Sequence, residues 1–206
     1  MSTVPHRLAS VANPPHLRLV PETAVDVDRA EAAVADLLVA LGQDIASPHL
    51  ADTSRRVVAA YAELLTPRPF TLTTFPNDEG YDELVLARAI PFHSLCQHHL
   101  LPFIGVAHVG YVPGRRILGL SKLARVVEHF ARDLQVQERL TKQIADCLSV
   151  HLAPKGVGVV LEAEHLCMSL RGAQAKGTHT ITSALAGLLR EDARSRAEFL
   201  ALTRAQ

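Results

Sequence analysis

Apolar residues fall at helical spacing in four stretches of the chain. From Asp26 to Leu41, Val34, Leu37, Leu38 and Leu41 share one face, and Gly42 supplies a stop. From Thr53 to Leu65 the stripe is Val57, Val58, Tyr61, Leu64 and Leu65, with Asp52 or Thr53 as the cap and Pro67 just beyond. The period returns over 121–132, with Leu123, Val126, Val127, Phe130 and Ala131. It returns again over 137–152, with Leu140, Ile144, Leu148 and Leu152. Residues 84–96, 104–113, 156–170 and 178–188 are rich in Val, Ile, Leu and Thr and read as strands, the third of them long. Residues 66–80 form a loop rich in Pro and Thr, and a short polar helix over 192–203 closes the chain. Residues 1–25 have no period, and prolines interrupt every short apolar stretch, which predicts a flexible tail. The order is two helices, then strand-strand-helix-helix-strand-strand. That predicts an α+β domain whose antiparallel sheet carries helices on one face.

Composition narrows the field. Of the 206 residues 48% are apolar, enough for one domain with a real core. Lys plus Arg number 21, and so do Asp plus Glu, which argues against a general binder of nucleic acid or membrane surface. Any anion site must therefore come from local clustering of cations. The three cysteines, Cys96, Cys147 and Cys167, are too few and too odd in number for a disulfide framework, and a reducing cytoplasm suits them better. No apolar run approaches the ~20 residues of a bilayer span, and the N-terminus lacks the core of a signal peptide.

Chemistry concentrates in three places. Ser94-Leu95-Cys96-Gln97-His98-His99 holds one Cys and two His, and Cys96 and His99 have the C-x-x-H spacing that aims a sulfur and an imidazole at one ion. His165 and Cys167 stand two apart in the long predicted strand, where side chains alternate and both would share a face. Together these offer two thiolates and one to three imidazoles, a mixed donor set that suits zinc, with spare histidines for proton transfer. Cys147 lies on an apolar helix face and reads as a small buried hydrophobe. His93, His108, His129, His151 and His179 stand singly and read as surface or structural. The second place is Gly119 to Arg125, where Ser121 can cap a helix whose first turn holds Lys122 and Arg125. Cations there oppose the helix dipole unless an anion binds, and Arg171 could add a third. The third is Gln137-Glu138, an amide and a carboxylate at a helix start. They could read the edge of a guanine or simply favour the dipole.

Taken in order, SLCQHHLLPF (94–103), GLSKLARVVE (119–128), QVQERLTKQIA (135–145) and GVGVVLEAEHLCMSLRGAQ (156–174) resemble GTP cyclohydrolase I, over roughly residues 30–203. The resemblance implies the tunnelling fold, with ββααββ order. It matches Cys96, His99 and Cys167 to zinc ligands, and His98 and His165 to proton carriers in ring opening. Ser121, Lys122, Arg125 and Arg171 match positions that hold the triphosphate, and Gln137 and Glu138 the guanine-recognition pair. The family forms large rings, typically homo-decamers with active sites between subunits. On that basis the chain divides into the tail (1–25), an N-terminal helical region (26–83) and a catalytic domain (84–206). One position departs: the family usually has Glu where this chain has Gln97, which removes a negative charge beside the metal site but no ligand. Two other readings keep a place. A tunnelling-fold nitrile reductase would need no triphosphate clamp, and a non-catalytic nucleotide-binding oligomer would not need both proton carriers.

Overall fold

The computed structural model describes residues 25–204, so all of the expected tail except Val25 lies outside the described residues. Two helices lead, α1 (Val27–Ala40) and α2 (Thr53–Leu65). Asp26 caps α1 by accepting from the Arg29 N–H at 3.1 Å, and Gly42 turns the chain away with a φ of 79°. Asp52 sits at the cap position of α2 but makes no cap bond; its carboxylate pairs with Arg55 and Arg56 instead. No residue of α1 is buried, and Leu37, Val39 and Leu41 remain open to solvent.

The sheet follows. β2 (Val85–Cys96), β3 (Pro102–Val112), β6 (Gly156–His165) and β7 (His179–Gly187) pair antiparallel in that order, and the short β5 (Leu134–Gln135) lies parallel to the end of β2. Between β3 and β6 run α3 (Ser121–Ala131) and α4 (Gln137–Leu152), so the ββααββ order holds. Both helices cover one face. Val126, Val127, Phe130, Leu140, Ile144 and Leu148 close over Phe92, Val109, Val157, Val159 and Leu161 in one core. On the other face α7 (Ala193–Arg204), reached through the single turn α6 (Leu188–Glu191), seats the fully buried Phe199. The ring lies over the register pair Gly110 and Gly158; a Cβ on Gly158 would come within 2.7 Å of it.

Two local readings need correction. The loop over 66–80 contains β1 (Thr74–Pro76), which pairs with β4 (Arg116–Leu118) in a ribbon too short to carry a period. The long strand ends at His165, and Leu166–Ser169 form a helical turn, α5. Cys167 therefore does not alternate with His165 on a strand. The cause is the partner: β3 begins at Pro102, its Phe103 pairs with His165, and beyond that point the strand has nothing to bond to. The chain closes its own hydrogen bond instead, from the Leu170 N–H to the Leu166 carbonyl at 3.0 Å.

Candidate active site

The turn after β2 is built to present two side chains at once. The His99 and Leu100 N–H groups both donate to the Cys96 carbonyl, at 3.2 and 2.8 Å, and Cys96 N–H reaches back to Leu101 O at 2.9 Å. Leu100 takes a φ of 56° to close the turn, and its carbonyl accepts from the Tyr61 hydroxyl of α2 at 3.0 Å. Cys96 Sγ thus lies 3.6 Å from His99 Nδ1. From the other side α5 brings Cys167 Sγ to 3.9 Å from Cys96 Sγ. The donor atoms of Cys96, His99 and Cys167 all lie within 4.8 Å of one another, a group that could hold a metal ion. Burial and the adjacent Cys96 push the Cys167 thiol up, and Arg171 partly opposes them. His98 stands at the edge of this group, its Nδ1 4.0 Å from Cys96 Sγ and its Nε2 3.3 Å from the Gln97 side-chain nitrogen.

His165 closes the site on the side of α4. Its ring stacks on Phe103 with centroids 4.6 Å apart and planes 3° from parallel. Its Nε2 lies 2.8 Å from Gln137 Oε1. Burial pushes its imidazole down, against an upward pull from the Glu138 carboxylate. Gln137, expected at a guanine edge, is 2% exposed, and its side-chain amide is taken up entirely by the protein. Glu138 instead lines a cavity of about 650 Å³ between α4 and the outer strand β7, with Thr141, Lys142, Ser183 and Arg190.

The cations divide. Arg171 lies close enough to act on Cys167. Ser121, Lys122 and Arg125 belong to the other end of α3. Ser121 is the first residue of that helix rather than its cap, because Leu120 already has helical angles. The Arg125 guanidinium is engaged by Glu128 at 2.9 Å, and Glu128 also pairs with Arg68 and Arg132. β4 fixes where α3 starts: Leu118 N–H donates to the Tyr111 hydroxyl, and Tyr111 lies eight residues along β3 from Phe103. Tyr111 is about 26 Å from Phe103 along the strand, and α3 runs back from its start toward β5, whose Gln135 pairs with Cys96. The structure thus gathers Cys96, His98, His99, His165, Cys167 and Arg171, with Gln137 and Glu138 beside them. Ser121 and Lys122 open α3, at its end away from β5, and Arg125 lies one turn further along. Phe103, Thr180, Thr182 and Tyr61 carry no sequence signal as supports, because each reads there as an ordinary strand or helix residue.

An antiparallel α+β sheet thus carries, at one end, a two-thiol, one-imidazole group that could hold a metal ion, with further histidines beside it. The family profile described as GTP cyclohydrolase I matches residues 30–204, and the chain belongs to that family. Among curated relatives, GTP cyclohydrolase 1 of Mycobacteroides abscessus is 54% identical, over 86% of this chain and 89% of its own. Corynebacterium glutamicum GTP cyclohydrolase 1 is 50% identical over 87% and 94%. That of Aquifex aeolicus is 48% identical over 88% and 98%. Identity at that level over nearly the whole length makes this chain a GTP cyclohydrolase, a hydrolase of pterin and folate formation. No helix among the described residues is long and apolar enough to cross a membrane.

Proposed function

We propose that this chain is a zinc enzyme that hydrolyses the guanine ring of GTP at C8, releases formate and rearranges the remainder to 7,8-dihydroneopterin triphosphate. The observation that carries the reading is the Cys96–His99–Cys167 group. Tetrahedral ligands at zinc–sulfur ~2.3 Å and zinc–nitrogen ~2.0 Å stand ~3.8 Å (S to S) and ~3.5 Å (S to N) apart. The 3.9 and 3.6 Å from Cys96 to its two partners are close to those values, and all three donor atoms lie within 4.8 Å of one another, so the ion would draw the group in only slightly. Three protein ligands leave a fourth position open, where zinc would lower the pKa of a water toward ~7.

The other residues bind and move protons. Glu138 accepts from the guanine edge, while Arg171, Ser121, Lys122 and Arg125 hold the triphosphate. His165 or His98 protonates N7, which makes C8 electrophilic toward water. The imidazole ring opens to a formamide, and a second hydrolysis frees formate. The ribose then undergoes an Amadori rearrangement and closes onto the exposed amines.

Such a site needs more than one copy of the chain. Lys122 opens α3 at the end of that helix away from Cys96, so in this reading the clamp comes from a neighbour. The sheet favours this, since among the described residues β7 is an edge strand and β2 is covered by β5 over only two residues. Three antiparallel pairings separate β2 from β7, so they run in opposite directions, and β7 of one copy can continue the antiparallel sheet at β2 of the next. Repeated head to tail, this closes a ring, with the homo-decamer as its full form. The same reading divides the chain into an N-terminal helical region (26–83) and a catalytic domain (84–206). It places the protein in the cytoplasm, in keeping with three free cysteines.

The deciding experiment is incubation of zinc-loaded protein with GTP, then oxidation and pterin fluorescence; absence of a pterin would sink the proposal. The clamp has its own test. GTP should bind far more tightly than guanosine, with affinity falling as salt rises, because charge-assisted contacts contribute ~1.5–3 kcal/mol each. Equal affinity for the two ligands would refute it.

A further inference from the structure

The hydrogen bonds around Gln137 leave no freedom in how its amide is oriented. The side-chain nitrogen faces the Thr180 carbonyl at 2.9 Å and the Leu161 carbonyl at 3.2 Å. Carbonyls only accept, so the atom facing them must be the NH₂ group. Its third neighbour, Thr182 Oγ1 at 3.1 Å, agrees. Thr141 spends its hydroxyl proton on the Gln137 backbone carbonyl at 2.7 Å. In the 2.6 Å contact between the two threonines Thr182 is therefore the donor, and its lone pairs are left to receive the amide. With the nitrogen fixed, the atom facing His165 Nε2 at 2.8 Å is the oxygen, which can only accept.

His165 must then carry its proton on Nε2. Stacking on Phe103 keeps the ring from turning to offer Nδ1 instead. Among the described residues Nδ1 makes no hydrogen bond, and it is not a sealed buried atom, so it is the nitrogen left free to meet a substrate. We propose that Gln137 is a positioning residue: its amide holds the His165 proton on Nε2 and presents Nδ1 as the nitrogen that exchanges protons with the substrate. This rests on the reading of His165 as a proton carrier, and it gives the Gln137 side chain a task other than guanine recognition. Gln137 opens α4 and contacts β6 and β7 at once, so helix and sheet together set the tautomer. Glutamate could not serve here. Its second oxygen would face the two carbonyls with no proton to give.

The first test is a ¹⁵N spectrum of zinc-loaded protein with labelled histidine, from which that of His165→Asn is subtracted. The expected signature is a protonated Nε2 and a bare Nδ1; a His165 proton on Nδ1 overturns the proposal. The second test is Gln137→Met, which keeps volume and loses the amide. With zinc content retained, kcat should fall ~10²-fold or more while KM for GTP stays within about threefold, as expected when a general acid–base is misoriented. Thr182→Val, which removes one of three acceptors, should show the same pattern more weakly. A raised KM with unchanged kcat in Gln137→Met would return Gln137 to base recognition and overturn the proposal. The underlying reading fails separately: a fully active His165→Ala removes His165 as a proton carrier, whatever Gln137 does.

Discussion

At the scale of single residues, the three cysteines have different fates. Cys96 and Cys167 face each other at 3.9 Å, whereas Cys147 is packed on the apolar face of α4, where burial pushes its thiol up to about 12. Cys96→Ser and Cys167→Ser should each lose zinc and activity together, by elemental analysis and turnover on one sample. Cys147→Ser should lose neither. A metal-free Cys167→Ser with full activity would end the zinc mechanism. His165 is predicted to behave in the opposite sense, because its bonding partner is Gln137 rather than an ion. His165→Ala should keep its zinc and lose ~10²–10⁴-fold in turnover; a metal-free His165→Ala would mean that the histidine is a ligand. The donor set was legible in the sequence because C-x-x-H spacing survives any turn that brings the ends together. Gln137's task was not, since its three amide acceptors lie 24, 43 and 45 residues away in sequence.

Elements were legible where one periodicity governed them. α2 and α4 have the bounds their apolar stripes predict, Thr53–Leu65 and Gln137–Leu152. β6 ran long on paper because Leu166, Cys167 and Met168 keep an apolar character that fits a strand and a helical turn alike, and only the end of β3 decides between them. The C-terminal helix reads as polar, yet its one buried residue, Phe199, fastens it to the uncovered face of the sheet. Phe199→Ala should therefore cost about 3–5 kcal/mol, like other large aromatic truncations in a core. Gly158→Ala should cost about 1–3 kcal/mol, because the new methyl meets the ring. Both should appear as a lower urea midpoint with zinc content unchanged. A Phe199→Ala protein as stable as the parent would mean that α7 is held by something else. Neither Gly110 nor Gly158 could be assigned this role from sequence, because the Phe199 ring that meets both comes much later in the chain.

For the whole molecule, the decisive feature is that α3 leads at its C-terminal end into β5, which pairs with Cys96, and carries Ser121 and Lys122 at its other end. If each site takes its metal half from one copy and Ser121, Lys122 and Arg125 from a neighbour, two dead variants can repair one another. Cys167→Ser abolishes the metal half and Lys122→Ala cripples the clamp, so each homo-oligomer should be nearly inactive. When the two are co-expressed with different tags and mixed rings are isolated, both mutations fall in the same site in some places, and in others an intact metal half meets an intact clamp. For random assembly of equal amounts, both halves are intact in about one site in four, so activity should recover to about a quarter of the parent's. Rings that are mixed by tag but no more active than the sum of the two variants would place every functional residue of a site in one chain. In that case the approach of Lys122 to the metal would require a rearrangement of α3 within the subunit, against its packing on β2 and α4.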